Sequence, residues 1–245
     1  MPSQESGAAL AERTLPALVL LAISMSCGAE DRQEFFQGSI GVGSDYTFRG
    51  VSQTLGEFAA QASVGAELPA GFYTYAWASN IDFVPASEPD DGARYEVDLG
   101  VGYSKELNDK WAIDLAFVRY LFPGTVEGVD YNFDELIARL TFAGKYAATV
   151  AHSNDIDNQG TSSVNYEVSV NVDLVSDTTL TVRYGLFDLA RAYGSDYTYV
   201  ESSLARQFGS TTITLSYANT SDAAESIFNP QATGSRLMLS LLYGW

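Results

Sequence analysis

The last ten residues of the chain, 236–245, constrain the fold more than any other segment, because apolar side chains occupy alternate positions to the end. In the wall of a membrane-spanning β-barrel every second side chain meets lipid, and an amphipathic aromatic ring is favoured where the strand reaches the interface. A period of two that ends on an aromatic residue is typical of the last strand of an outer-membrane barrel, although a soluble β-sandwich also accommodates such a strand. We predict that the alternating positions form the signal bound by the barrel-assembly machinery: Leu237, Leu239, Leu241, Tyr243 and Trp245.

Alternation with the same period recurs along the chain and predicts about twelve strands. In one of them, Tyr95 and Val97 alternate with Glu96 and Asp98. An even number of strands with one apolar and one polar face predicts an all-β fold, namely an antiparallel up-and-down transmembrane barrel. The strands are predicted at 38–49, 58–68, 72–83, 94–105, 110–121, 131–142, 145–153, 163–174, 178–187, 196–207, 211–218 and 235–245.

The connections between the predicted strands alternate in length. Those after even-numbered strands are short, such as 69–70 and 175–177, whereas those after odd-numbered strands are long, such as 84–93 and 219–235. Short periplasmic turns and longer extracellular loops are typical of outer-membrane barrels, so both chain ends are expected on the periplasmic side. Aromatic residues cluster toward the predicted strand ends, where we expect interfacial girdles that include Tyr73, Tyr75, Trp77, Phe133 and Tyr197.

The N-terminal segment carries the features of a secretory signal. The apolar run at 15–23 is followed by small residues, and no apolar run reaches the ~18 to 20 residues that a membrane helix needs. We therefore predict a signal peptide at 1–29 and a barrel at 30–245, located in a bacterial outer membrane. Cys27 leaves open the alternative of a lipoprotein acylated at that residue.

The net charge limits the classes of partner. The chain has 13 Lys and Arg residues against 31 Asp and Glu residues, which gives a formal net charge of −18. Phosphate binding needs basic clusters, so nucleic acid is not expected as a partner. The expected partners are outer-membrane lipid and lipopolysaccharide, which acidic loops would bridge through divalent ions, together with small solutes or ions.

The segment Gly-Ser-Asp-Tyr-Thr-Phe-Arg-Gly-Val-Ser-Gln-Thr at 43–54 resembles the TorF family, a proteobacterial family of outer-membrane β-barrels described as porins. The similarity continues through 71–83, 95–103 and the corner at 120–124, and it is weaker afterwards. The resemblance implies an outer-membrane location and channel activity. It supplies neither a substrate nor catalytic residues.

The polar face of the predicted strands would point into the lumen. Ionised groups in a dry lumen carry a large desolvation cost, so rows of inward charge favour a water-filled channel for passive diffusion of small hydrophilic solutes or ions. Nine acids against six arginines predict a mild preference for cations. In the alternative, acids and arginines pair and fill the interior, which leaves a closed barrel with a structural or adhesin-like role. The predicted pore-lining residues are Asp45, Arg49, Glu67, Asp82, Arg94, Glu96, Asp98, Asp114, Glu135, Arg139, Glu167, Asp173, Arg183, Arg206 and Arg236.

Asp45 and Arg49 lie on one face of the first predicted strand. On an extended strand their Cα atoms would be ~13 Å apart, so the two side chains could not pair with each other. Each would need a partner on a neighbouring strand. We expect the two residues to contribute to a constriction, or else only to fix the register of the strands.

Few residues of the chain suggest chemistry. His152 is the only histidine, which excludes a multi-histidine metal site. A lipid-modifying enzyme that uses a serine and His152 is a lesser alternative, since no nucleophile-elbow motif accompanies the histidine. The acidic spacing of Asp155 and Asp157 resembles the start of a calcium loop, but Tyr166 occupies its twelfth position. We expect a protein that is not an enzyme and has no catalytic residues, cofactor or metal.

Overall fold

The protein is described by a computed structural model that covers residues 36–85 and 88–245. The predicted signal peptide at 1–29 and Cys27 lie outside the described residues. Helical structure within the described part of the chain is limited to short turns. One is α-helical, α1 at Ala190–Tyr193, and the longest is the five-residue 3-10 turn at Asp222–Ser226. None of these helices is long and apolar enough to cross a membrane.

Strands make up most of the described chain, and twelve of the fourteen form one closed antiparallel barrel. Each barrel strand pairs with the barrel strands before and after it, and the last strand closes the barrel against the first. The predicted twelve-stranded all-β barrel is therefore confirmed. The strands are β1 (Phe36–Gly43), β2 (Thr47–Phe48), β3 (Val51–Ser52), β4 (Ala59–Glu67), β5 (Phe72–Asn80), β6 (Tyr95–Glu106), β7 (Trp111–Leu121), β8 (Phe133–Phe142), β9 (Tyr146–Ser153), β10 (Ser163–Asp173), β11 (Thr178–Asp188), β12 (Tyr197–Phe208), β13 (Thr211–Thr220) and β14 (Arg236–Gly244).

The connections alternate in length as predicted, so the barrel has two different ends. At the turn end the connections are short, as at 143–145, where Ala143 and Gly144 have φ angles of 54° and 65° and close a tight turn between β8 and β9. At the loop end they are long, as at 81–94 and 221–235. The first described residue and the C-terminal Trp245 both lie at the turn end.

The outer face of the barrel is apolar. In β14 the exposed side chains include Leu237, Leu239, Leu241 and Tyr243, whereas Met238 and Leu242 at intervening positions are buried. The same alternation holds around the barrel, because successive side chains of a strand point to opposite faces. Exposed aromatic side chains gather near the turn end of this surface: Phe72, Trp111, Tyr146, Phe208, Tyr243 and Trp245.

The hydrophobic core lies inside the barrel, and it contains several of the aromatic residues predicted to form girdles. The prediction is wrong for Tyr73, Tyr75, Trp77, Phe133 and Tyr197, which are all buried in this core.

Glycines explain how tyrosines fit inside the barrel. The ring of Tyr75 covers Gly100 and the ring of Tyr199 covers Gly185, each so closely that a Cβ atom at the glycine would collide with the ring. Because glycine has no Cβ, the ring can lie flat against the backbone of the neighbouring strand. These inward tyrosine rings therefore pack directly against the inner surface of the barrel wall.

Candidate functional site

The long connection at residues 44–58, between β1 and β4, folds into the barrel. We call it the plug segment. β1 ends at Gly43, so the prediction that the first strand extends to residue 49 is wrong. The chain leaves the wall because β2 and β3 pair with each other inside the lumen. Several residues of the plug segment are almost fully buried: Arg49, Val51, Ser52 and Thr54.

Arg49 and Gly50 form the tip of the plug segment, where β2 turns into β3. Their φ angles are 51° and 81°, as in the two-residue turns that suit hairpins. A Cβ atom at Gly50 would lie 2.8 Å from Cβ of Tyr199, so space as well as backbone conformation requires glycine there. Arginine is unfavourable at positive φ, and we attribute its presence at the tip to the interactions of its side chain.

The side chain of Arg49 reaches β8 on the barrel wall. Its Nη2 donates a hydrogen bond of 2.8 Å to Oε2 of Glu135, and the exposed fractions of the two residues are 6% and 1%. The hydroxyl of Tyr120 donates to the same carboxylate oxygen over 3.2 Å. The guanidinium carbon lies 4.5 Å from the ring centre of Phe48 and 4.3 Å from that of Phe187, within the range of cation–π attraction. Arg49 therefore joins the plug segment to the wall through an ion pair that is shielded from solvent.

Asp45 organises the base of the plug segment. Its Oδ2 accepts a 2.8 Å hydrogen bond from Nη1 of Arg236 on β14. Its Oδ1 accepts hydrogen bonds from the hydroxyls of Ser52 and Thr54, over 2.6 and 2.7 Å. One carboxylate thus ties together both arms of the hairpin and the wall.

Glu201 on β12 forms a third anchor. Its Oε1 accepts hydrogen bonds from the backbone N–H of Gly50 over 3.0 Å and from the hydroxyl of Thr47 over 3.3 Å. Its Oε2 pairs with Arg183 over 3.2 Å. Because the anchors lie on β8, β12 and β14, the plug segment spans the lumen.

Other long loops cover the plug segment from the loop end. Ile156, Leu189, Ala224 and Ala232 are buried and belong to the same core cluster as the inward aromatic residues. Two of these loops are joined where the hydroxyl of Tyr193 donates a 2.6 Å hydrogen bond to Oδ2 of Asp157. The loop-end half of the lumen is therefore filled with side chains.

Burial raises the pKa of both side chains in this loop contact. Burial raises the pKa of Asp157 to about 6, and the hydrogen bond from Tyr193 opposes part of that rise. Burial also raises the pKa of Tyr193 far above its usual range, and the neighbouring Asp157 carboxylate raises it further.

The turn-end half of the lumen is polar and open to solvent. Its inward side chains are mostly small, hydroxylated and partly exposed, and they include Ser63, Thr141, Asn171, Thr181 and Ser203. The hydroxyl of Thr181 donates a 2.9 Å hydrogen bond to Oδ1 of Asn171 on the next strand. Such a surface can be wetted without burying an unpaired charge.

Tyrosine–carboxylate pairs mark the boundary between the two halves. The hydroxyl of Tyr73 donates to Oδ1 of Asp114 over 2.9 Å, and the hydroxyl of Tyr199 donates to Oε2 of Glu167 over 2.9 Å. Arg139 lies in the same ring of residues, directly beside Asp114 in the register of β7 and β8. Its Nε is buried without a hydrogen-bond partner within the described residues.

Two buried carboxylates on β6 have no ion-pair partner in the described part of the chain. Glu96 and Asp98 are 3% and 1% exposed, and Oε2 of Glu96 and Oδ1 of Asp98 have no hydrogen-bond partner there. Both residues point toward the filled half of the lumen.

The structure places the predicted pore-lining residues at different levels of the barrel. Asp45, Arg49, Glu96, Asp98, Glu135 and Arg236 lie in the filled loop-end half. Asp114, Arg139, Glu167 and Arg183 lie near the middle, and Glu67 and Asp173 lie at the mouth of the turn end. Asp82 and Arg94 lie outside the strands at the loop end, half exposed, where Arg94 pairs with Asp90 over 2.8 Å and lies 3.7 Å from Asp82.

On β12 the predicted inward and outward faces are exchanged. This exchange accounts for one wrong and one missing site residue. Arg206 is exposed on the outer face between Leu204 and Phe208, so its predicted place in the lumen is wrong. Glu201 points inward and was not predicted. A shift by one residue exchanges the two faces of a strand, and here Tyr197, predicted to lie in an interfacial girdle, points inward.

The expectation of a partner on a neighbouring strand holds for Asp45 but is wrong for Arg49. Asp45 pairs with β14, which is the neighbour of β1 in the barrel, but Arg49 pairs with β8, on a different part of the wall. Arg49 reaches that far because the plug segment leaves the wall.

The remaining candidate chemistry is accounted for by local contacts. The two ring nitrogens of His152 lie 3.1 Å from the carbonyl oxygen of Ser163 and 3.0 Å from Oδ1 of Asn154. Oδ1 of Asp155 accepts a hydrogen bond from the backbone N–H of Gly160 over 2.6 Å, which closes the acidic loop on itself. Within residues 36–85 and 88–245, no group of three or more His, Cys, Asp or Glu side chains is arranged to hold a metal ion.

Solved porins share the architecture of this chain. The structure of the KdgM porin matches with a TM-score of 0.53 and 7% sequence identity, covering 84% of this chain and 98% of the porin. The NanC porin matches with a TM-score of 0.52 and 10% identity, covering 84% of this chain and 97% of that porin. At such low identity the similarity shows the barrel fold alone.

Sequence comparison extends over nearly the whole described barrel. A family model described as "Bacterial protein of unknown function (Gcw_chp)" matches residues 29–239. A search among curated protein sequences finds no significant match.

Proposed function

This chain belongs to the Gcw_chp family of bacterial proteins, and we propose that it is an outer-membrane channel for passive diffusion of small hydrophilic solutes or ions. The observation that carries the proposal is the contrast between an apolar outer face and a polar, solvent-accessible lumen in the turn-end half. Side chains of this kind line water-filled barrels in membranes.

The outer face supports insertion into the outer membrane. Large apolar side chains are exposed around the barrel, including Val168, Leu215 and Leu239. Exposed apolar surface of this extent is favourable in lipid and costly in water. We place the turn end on the periplasmic side, with both chain ends, and the long loops on the outside, where lipopolysaccharide and its divalent ions would meet the acidic side chains.

Permeation through this barrel requires the plug segment to move, because it spans the lumen and is covered by other loops. Glu96 and Asp98 have no ion-pair partner in the described residues. In an opened path water would reach and ionise them, and their carboxylates would then favour cations over anions. The filled loop-end half also supports a second candidate function, a permanently closed barrel that acts through its extracellular loops.

Single-channel conductance of the refolded protein in a planar bilayer tests the proposal. The matched variant lacks the plug segment: since Gly43 and Ala59 are paired across β1 and β4, a two-residue Asn-Gly turn can join the strands in its place. We expect rare or small steps from the native protein and large, stable, cation-preferring steps from the variant. A variant that folds and inserts but stays silent would contradict the channel proposal and favour the closed barrel.

A further inference from the structure

The wall residues that hold Arg49 form a recognition site for a guanidinium group. We propose that this site, made by Glu135, Tyr120 and Phe187 and called here the guanidinium socket, binds small guanidinium-bearing solutes, and that Arg49 occupies it as a tethered internal ligand. Binding in the socket stands on the geometry alone. The consequence for permeation rests on the proposed channel function.

The chemistry of the socket suits a guanidinium group. Oε2 of Glu135 accepts the 2.8 Å hydrogen bond from Arg49, and the Tyr120 hydroxyl donates to the same oxygen over 3.2 Å. The ring of Phe187 lies 4.3 Å from the guanidinium carbon. A carboxylate combined with an aromatic face is the pairing that suits a planar, delocalised cation.

The tethered ligand fills the socket incompletely. Arg49 uses only Nη2 toward Glu135, while its Nη1 and Oε1 of Glu135 are both buried without hydrogen-bond partners in the described residues. Guanidinium and carboxylate can form two parallel hydrogen bonds when they approach side by side. A free solute is not bound by the backbone of the plug segment and can adopt that arrangement.

The backbone at the tip of the plug segment has an unfavourable conformation. Arg49 has a φ of 51°, a conformation that is unfavourable for a residue with a Cβ atom. Such strain persists only where the surrounding contacts maintain it. Release of Arg49 from Glu135 would therefore also remove a constraint on the turn, so a competing solute would favour displacement of the plug segment.

Chemical rescue of Arg49→Ala tests binding without any need for conduction. Methylguanidinium is the probe, and thermal unfolding of the refolded protein in detergent is the readout. We expect saturating methylguanidinium to raise the midpoint of R49A by on the order of 2–4 °C, and methylammonium to have a much smaller effect because it cannot form the paired hydrogen bonds. The double variant R49A/E135Q should show no rise.

Arg119→Ala is the matched control. Arg119 pairs with Asp134 over 2.9 Å, one residue before Glu135, but this pair lies on the outer face and both side chains are more than 40% exposed. R119A should show no rise with methylguanidinium. The socket is contradicted if R49A shows no rise, if R49A/E135Q rises equally, or if methylammonium acts as strongly as methylguanidinium.

Conductance measurements distinguish a failure of the socket proposal from a failure of the channel proposal. In the native protein, methylguanidinium should increase the frequency of opening several-fold over methylammonium at equal ionic strength. No increase, in a protein whose plug-deleted variant conducts, would overturn displacement of the plug segment by solute. If the plug-deleted variant is also silent, the channel proposal fails. The thermal rescue alone then tests whether the socket binds a guanidinium group. Should R49A not refold, Arg49→Gly replaces it, because glycine also leaves the socket empty and suits the φ of 51° at this position. The same contrast between the two probes is expected.

Discussion

The two halves of the lumen are lined by the same twelve strands, yet their inward side chains have opposite surroundings. In the turn-end half, residues such as Asn171 and Thr181 are partly exposed and bond across neighbouring strands. In the loop-end half, Glu135 and Tyr120 are buried beneath the plug segment. Strand alternation sets which side chains point inward, whereas an inserted loop decides whether those side chains meet water. The following predictions test that contrast, from the largest expected effect to the smallest.

Neutralising Glu135 should have the largest effect, because it leaves the Arg49 guanidinium buried without its carboxylate. Breaking one partner of a buried pair typically costs about 3–5 kcal/mol, and here we expect the loss to appear as release of the plug segment. Glu135→Gln should therefore raise the conductance of the native barrel toward that of the plug-deleted variant. The adjacent Asp134→Asn breaks an exposed pair, which is worth about 0–1 kcal/mol, and should leave conductance unchanged.

Alanine at Gly50 should displace the tip by crowding. Gly50 and Gly56 lie in the same segment with nearly equal φ angles of 81° and 82°, but only Gly50 has Tyr199 within contact distance of an added Cβ atom. Both substitutions carry the cost of positive φ, and G50A adds about 1–3 kcal/mol of overpacking. Single-channel recording should show more frequent opening in G50A than in G56A. Equal behaviour of the two variants would mean that the tip does not pack against β12 as described.

At the boundary between the two halves a single charge should change selectivity more than stability. Asp114 accepts a hydrogen bond from Tyr73 beside the solvent-accessible part of the lumen. In the plug-deleted background, Asp114→Asn keeps that hydrogen bond and removes one negative charge. We expect the reversal potential under a salt gradient to move by a few millivolts toward lower cation preference. A shift in the other direction would place the path of the ions away from Asp114.

The smallest predicted effect concerns the loop cover and pH. Because burial raises the pKa of Asp157 to about 6, the folded loop binds this proton more tightly than the unfolded chain does. The contribution of Asp157 to loop stability therefore increases as the pH falls through about 6 and is lost as the pH rises above it. After correction for intrinsic exchange, amide hydrogen exchange at 154–162 should be several-fold slower at pH 5 than at pH 7. Asp157→Asn should remove this difference, and an unchanged difference would assign it to another group.

Much of the fold could be predicted from the sequence because its rules are local. Eleven of the predicted strands begin and end within a few residues of the observed ones, and the alternation of short and long connections is the observed one. The period of two in β6 and β14 indicates which side chains face lipid, because one face of each strand meets lipid and the other faces the lumen. The prediction fails where this alternation is ambiguous, as at Tyr197, because tyrosine suits both a lipid interface and a crowded interior.

The sequence by itself determined a twelve-stranded barrel with an apolar outer face and charged residues inside, because each of these properties follows from alternation along single strands. Only the tertiary structure decided that β1 stops at Gly43, that residues 44–58 enter the lumen, and that Arg49 meets Glu135. These contacts join residues far apart in the chain. No period along the sequence encodes such a contact, because it depends on the diameter of the closed barrel and on how far a loop reaches across it.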